Sequence, residues 1–227
     1  DENKQKEFLD TIHKYGLEIS ALSAHGNAVH PDKAIAKKFD EDLTNAILLA
    51  EKLGVPVVNT FSGCPGGSPE DKTPTCPWPD DFSEILEYQW NDVLIPYWKE
   101  KVAFAKAHNV HKIALELHPG FCVYNTRSLL KLREAVGPEI GANLDPSHLI
   151  WQGMDLIAVI RELGKANAIF HFHAKDTKVD AINTAVNGVL DTQHYSEELT
   201  RSWIFRSVGY GHGEDYWKAI ASELRLA

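Results

Sequence analysis

Short apolar runs alternate along the chain with longer stretches whose apolar residues return every three or four positions. The short runs read as buried strands and the longer ones as amphipathic helices. Lys6–Tyr15 predicts the last turns of a helix ended by Gly16, and Leu17–Ser23 predicts a strand. Pro31 or Asp32 opens the next helix, with Phe39, Leu43, Ala46, Ile47 and Ala50 on one face. Gly54 closes it, and Val55–Thr60 follows as a strand. Phe82–His108 predicts a long helix, with a bend expected at Pro96, whose ring removes a backbone donor. Trp90 and Trp98 are expected to bury against the sheet. The pattern then repeats as strand Lys112–Leu117, helix Arg127–Val136, strand Glu139–Leu144, helix Met154–Leu163 and strand Ala168–His173. A long loop containing GYGHGED leads to a last helix, Asp215–Leu226.

This alternation predicts βαβ units, hence the α/β class with a parallel sheet. In such sheets chemistry sits at the strand C-termini, where the polar clusters of this chain fall. No Gly-rich phosphate loop follows any strand, which counts against a dinucleotide fold. The Gly- and Pro-rich loop FSGCPGGSPEDKTPTCPWPDD after the second strand is long enough to act as a cover. Its Trp78 packs either over a ligand or over the loop's own base.

The three strands that close the pattern share a design. Ile113–Gly120 (IALELHPG), Ile140–His148 (IGANLDPSH) and Ile169–Asp176 (IFHFHAKD) each run from apolar residues into acidic groups or histidines. A carboxylate at the end of a buried strand is costly unless paired or coordinated. Glu116, Asp145 and His173 therefore suggest one shared metal site. A salt bridge for Glu116 and a turn cap for Asp145 are the alternatives. One imidazole with carboxylates suits Mn²⁺, Mg²⁺, Co²⁺ or Zn²⁺ rather than a thiolate-bound metal. His171 shares a strand face with His173 but lies deeper, as a supporting or packing residue. His148, three residues after Asp145, faces the substrate or adds a ligand.

Composition narrows the field. With 227 residues, 44% hydrophobic and 24% charged, the chain is expected to form one domain over residues 1–227. The formal charge of −9 argues against non-specific nucleic-acid binding. No apolar run approaches the roughly 20 residues that cross a membrane. The chain opens on DENKQKEFLD, without Met or a signal peptide, as though inside a helix. Cys64, Cys76 and Cys122 match no zinc-finger spacing. Free thiols and a cytoplasmic location are expected, although Cys64 and Cys76 share a loop and would pair in an exported protein.

The motifs LELHPG, NLDPSH and HFHAKD, with the later GYGHGEDYW, resemble the xylose-isomerase-like TIM-barrel superfamily of sugar isomerases and epimerases. The resemblance runs from about Gly16 to the end, and the stretch His173–Asp176 is its most specific part. It implies a (β/α)8 barrel of which this chain supplies five strands, with strands one, two and eight outside it. Such a piece has two open edges, so a second chain or segment completes it, a homo-oligomer being one route, or the sequence is part of a longer protein. The resemblance also implies a divalent metal held by Glu116, Asp145, His173 and a further Glu with no match here. Glu214 is the nearest late carboxylate, and its ordinary reading is a solvated helix start. Cys122 and Val179 stand where the ketose 3-epimerases of the family, as the resemblance has it, carry Glu and Arg, which disfavours that activity. His25 matches one histidine of the endonuclease IV branch, but strand Val55–Thr60 supplies none, which disfavours that branch too.

The function expected is a metal-dependent isomerase, epimerase or lyase acting on a sugar, keto-sugar or inositol derivative. The metal, Mn²⁺ before the others, stabilises the enediolate left when an α-proton departs. Glu116 doubles as acid or base, while His148 and Lys175 bind substrate oxygens; Lys175 has Asp176 or a ligand carboxylate as its other partner. A non-catalytic barrel that binds a sugar or a partner subunit is the alternative. Metal-dependent phosphodiester hydrolysis ranks third.

Overall fold

The computed structural model describes residues 2–76 and 83–227. Helix α1 (Glu2–Lys14) leads to strand β1 (Leu22–Ser23), helix α2 (Lys33–Leu53) and strand β2 (Val57–Thr60). Asp32 caps α2, its Oδ1 accepting from the Ala34 and Ile35 amides at 2.9 and 3.4 Å. Gly54 ends the helix in the left-handed region at φ 68°. β1 is much shorter than the Leu17–Ser23 expected, because only Leu22 and Ser23 find partners, Val58 and Asn59.

The expected single helix over Phe82–His108 is a correction. Phe82 lies outside the described residues, as does Trp78. From Ser83 the segment divides into α3 (Ser83–Glu87), a π-helical stretch (Tyr88–Leu94) and α4 (Ile95–Ala107). The Ile95 amide bonds the Trp90 carbonyl five residues back, and Pro96 has no amide with which to continue the wider pattern or restore the narrower one. The wide turn carries Gln89 and Trp90 inward, and both are buried, as is Trp98 further along. Gln89 Nε2 donates to the Pro65, Gly66 and Thr75 carbonyls at 3.1, 3.2 and 2.7 Å, so it ties the loop after β2 to this helix.

Strand β3 (Lys112–Glu116), helix α5 (Thr126–Val136), strand β4 (Ile140–Leu144), helices α6 (Pro146–Ile150) and α7 (Leu156–Lys165) and strand β5 (Ile169–Phe172) follow. The five strands form one parallel sheet in the order β1-β2-β3-β4-β5. That is the sequential, helix-connected topology expected of a TIM barrel, in five of the eight strands a closed barrel has. Between sheet and helices lies the apolar core, built on Ile47, Leu94, Trp98, Ile113, Leu115, Leu117, Leu129, Ile140, Leu144, Ile160 and Leu163.

After β5 the long stretch expected as loop is structured. Strand β6 (Asp176–Val179) pairs antiparallel with β7 (Trp203–Arg206), and helix α8 (Ala181–Asn187) lies between them. No tight turn joins these four-residue strands, so no hairpin signal marks them along the chain. Helix α9 (Glu214–Leu226) closes the chain. None of the helices among the described residues is long and apolar enough to cross a membrane.

Candidate active site

Strand register builds the site. Glu116 on β3 lies opposite Asn143 on β4, and Asn143 lies opposite His171 on β5. The second pairing depends on a register shift between Ala142 and Asn143. Ala142 pairs with Ile169, so without the shift Asn143 would face Phe170, whose side chain points to the other side. The irregularity thus places a polar row on one face: His171 Nδ1 sits 3.0 Å from Asn143 Oδ1 and 3.2 Å from Asn59 Nδ2, and its Nε2 is 3.2 Å from Ser20 Oγ. His171 is a supporting residue of this row, as its depth in the strand implied.

Glu116 is the hub. His148 Nε2 lies 3.0 Å from Oε1, while His173 Nδ1 and His25 Nε2 lie 3.2 and 3.1 Å from Oε2. Asn143 Nδ2 donates to Oε2 at 3.3 Å. Burial pushes the Glu116 carboxyl upward, but hydrogen bonding to His148, His173 and His25 outweighs it and holds the group well below the usual carboxylate range. Hydrogen bonding to Glu116 in turn raises the His173 imidazole against the opposing effect of burial. Burial lowers His118 to about 4, with the neighbouring His148 charge second. Burial also lowers His171, helped by the charge on His173.

Asp145 divides its two oxygens between two tasks. Oδ1 caps α6, accepting from the Ser147 amide at 2.9 Å and the Ser147 hydroxyl at 2.7 Å. Oδ2 is buried, and its near neighbours are Lys175 Nζ at 2.8 Å and His148 Nε2 at 3.6 Å. The cap reading and the site reading of Asp145 therefore hold together, one oxygen each. Lys175 takes Asp145, rather than Asp176, as its partner.

The residues of the expected metal set, Glu116, Asp145 and His173, lie close together, with His148 beside them. Among the described residues the ligand atoms that lie within 4.8 Å of one another belong to Glu116, Asp145 and His148. His173, expected in that set, stands outside it and meets Glu116 from the open side. A cavity of about 570 Å³ is lined by Asp145, His173, Lys175, Phe205, Arg206 and Ser207. Glu214 is far from any ligand role, with its side chain exposed and ion-paired with Lys218 at 2.9 Å.

Two features escaped sequence reasoning. Aromatic walls flank the site: Phe61 stacks on Phe121 at 4.3 Å and meets His25 and His118 edge-on, while Phe205 lies against His148 and beneath the Lys175 ammonium. Phe205 is missed because its strand pairs with a distant one; His25 had only its place after the first strand to mark it. The second feature is Asp176, a fully buried carboxylate next to Lys175. It accepts from the amides of Thr177, Gly211 and His212 at 2.8, 2.9 and 2.8 Å and from Trp217 Nε1 at 3.0 Å. His212 Nδ1 lies 2.8 Å away. The GYGHGED motif is thus wrapped around Asp176. A Cβ on Gly211 would come within 2.5 Å of the Thr177 carbonyl oxygen, so the motif needs glycine there.

Comparison with known proteins agrees with this architecture. The profile of the xylose isomerase-like TIM barrel family matches residues 1–227. A Bacillus subtilis (strain 168) protein named "Uncharacterized protein YfiH" is 42% identical over 229 residues, covering 98% of this chain and 72% of its own length. Two crystal structures share the fold. The probable 3-DHS dehydratase AsbF involved in petrobactin synthesis, from Bacillus anthracis, has a TM-score of 0.65 at 20% identity, over 100% of this chain and 73% of that one. A xylose isomerase-like TIM barrel protein from Mycobacterium smegmatis, solved in complex with magnesium, has a TM-score of 0.61 at 16% identity, over 100% and 69%.

Proposed function

The chain belongs to the xylose isomerase-like TIM barrel family, and we propose that it is a divalent-metal-dependent enzyme that moves a proton beside the carbonyl of a sugar or keto-sugar. The observation that carries this reading is the pair of neighbouring buried carboxylates, of which Asp145 lines the cavity. Glu116 is held ionised by histidines, and Asp145 Oδ2 has the Lys175 ammonium at 2.8 Å.

The residues fit a metal. Asp145 Oδ2 is a buried acceptor, and the nearby ligand atoms are carboxylate and imidazole, the set that suits Mn²⁺, Mg²⁺, Co²⁺ or Zn²⁺. Glu116, Asp145 and His173 would hold the ion. His173 is preferred to His148 because it lines the cavity with Asp145, and a catalytic ion keeps an open position toward substrate. When bound, such an ion polarises a carbonyl oxygen and its neighbouring hydroxyl.

The protein groups divide the remaining work. Glu116 carries negative charge, and its depressed pKa makes it a poor base, so its share is to hold rather than to take a proton. His148 Nε2 sits between Glu116 Oε1 at 3.0 Å and Lys175 Nζ at 3.4 Å, where an imidazole can accept and return a proton. Lys175 presents a cation to substrate oxygens at the cavity wall. The aromatic faces of Phe61, Phe121 and Phe205 border the site and exclude water from the reacting end.

Solvent deuterium exchange at the α-carbon of a keto-sugar panel, with metal content measured alongside, tests the reading. Wild type is expected to hold about one ion per chain and to exchange. Glu116→Gln is expected to lose both while its near-ultraviolet circular dichroism stays unchanged. Exchange retained by Glu116→Gln would sink the assignment. A wild-type chain that binds ion and sugar without exchange would instead favour a non-catalytic sugar-binding barrel.

A further inference from the structure

The only cysteines in the sequence, Cys64, Cys76 and Cys122, are brought near one another by the fold. Cys64 has both other cysteines as near neighbours. The backbone explains why. The Cys122 amide donates to the Gly63 carbonyl at 2.9 Å, and the Thr75 amide donates to the Pro65 carbonyl at 2.9 Å. Cys64 Sγ also reaches the Thr75 carbonyl at 3.4 Å, one residue from Cys76. Asn27 clamps Cys64 on both sides, its Oδ1 accepting from the Cys64 amide at 3.0 Å and its Nδ2 donating to the Cys64 carbonyl at 2.7 Å. Cys64 is therefore a buried, fixed centre, whereas Cys76 is exposed.

We propose that the three thiols form a thiol–disulfide modification site in which Cys64 is the shared member and the co-reactant is a low-molecular-weight disulfide. The three sulfurs are not all within 4.8 Å of one another, which suits pairwise bonding rather than a three-sulfur metal cage. The exposed Cys76 attacks the reagent RS–SR, forming a Cys76–S–S–R bond and releasing one RSH. Cys64 then attacks Cys76 Sγ, which breaks the mixed disulfide, forms Cys64–Cys76 and releases the second RSH. The two protein thiols lose two electrons and two protons, and both leave in the two RSH molecules. Cys122, a near neighbour of Cys64, can carry the bond onward by the same exchange.

Closure links the loop 64–76 to its own base, next to Phe61 and Phe121 in the wall of the site. The Cys122 neighbour, and burial with it, push the Cys64 thiol up to about 12. The Cys64 neighbour, and burial with it, push the Cys76 thiol up as well. Because the thiolate is the attacking species, both steps are slow at neutral pH and quicken with each unit of alkalinity by about tenfold.

The test treats the folded wild-type protein with oxidised glutathione, alkylates it and maps the peptides without reduction. The expected product is an intramolecular link that includes Cys64, with one alkylated thiol remaining and all three restored by dithiothreitol. Cys122→Ser is expected to keep the Cys64–Cys76 link, and Cys64→Ser to stop at a glutathione adduct on Cys76. Three free thiols, a lasting adduct on wild-type Cys76, or a link between two chains through Cys76 would each overturn the proposal, since Cys64 stays free in all of them.

Discussion

The Lys175 ammonium lies 2.8 Å from the buried Oδ2 of Asp145, over the ring of Phe205 at 4.5 Å from its centroid. A cation at that spot neutralises the carboxylate and opposes a second cation entering beside it. Two like charges about 4 Å apart repel by a few kcal/mol at the effective dielectric of a protein surface. Lys175→Met is therefore expected to bind Mn²⁺ about tenfold more tightly than wild type, while turnover falls about a hundredfold or more. Isothermal titration with Mn²⁺ checks the first part, and weaker binding by the variant would remove Lys175 from this role.

The two histidines on Glu116 separate by the same measurement. His173 meets Oε2 from the cavity side, and His148 meets Oε1 from within. His173→Ala is expected to weaken Mn²⁺ binding by about 10- to 100-fold, as loss of a metal-site group does. His148→Ala is expected to leave most of the affinity and to lose turnover. The reverse order would assign the ligand role to His148, which shares the tighter cluster with Glu116 and Asp145.

Asp176 predicts an acid limit to stability. Burial raises its carboxyl, but hydrogen bonding from His212 and Trp217 and the amides of His212 and Gly211 outweighs it, lowering the group from 3.8 to about 2. A carboxyl depressed in the folded state contributes stability above its unfolded pKa, and loses it as pH falls through the folded one. The contribution is about 2 kcal/mol, present above pH ~4 and lost toward pH ~2. Urea unfolding of wild type and Asp176→Asn at several pH values should show a gap that narrows by about this amount over that window. A gap independent of pH would contradict it.

Gln89 gives a prediction without titration. Its buried carboxamide supplies donors to three loop carbonyls, and leucine at this position would remove a donor from each, leaving Pro65 and Thr75 only their bonds from the Thr75 amide and the Cys64 thiol. Gln89→Leu is expected to destabilise the fold by about 2–4 kcal/mol and to open the loop 61–76 to proteolysis. Unchanged proteolysis would mean that the loop is held by other contacts.

Much of this was legible along the chain. The five parallel strands, the caps at Asp32 and Gly54, and the burial of Trp90 and Trp98 follow from periodicity and end signals, which act over a few residues. Glu116 and Asp145 could be singled out because a carboxylate ending an apolar strand must have a partner. The family followed from motifs that each lie within one strand and its loop.

Local pattern set the order and kind of the sheet elements, and which residue types stand at their polar ends. Which of those residues touch one another came from the folding of distant segments together. The one-residue shift between β4 and β5 brings His171 beside Asn143, and pairing across 23 intervening residues sets Phe205 over the site. His25, His148 and His173 converge on one carboxylate, and three cysteines are brought near one another. The physical reason is that local spacing fixes the face a side chain occupies, whereas a contact depends on register and packing between segments far apart in the chain.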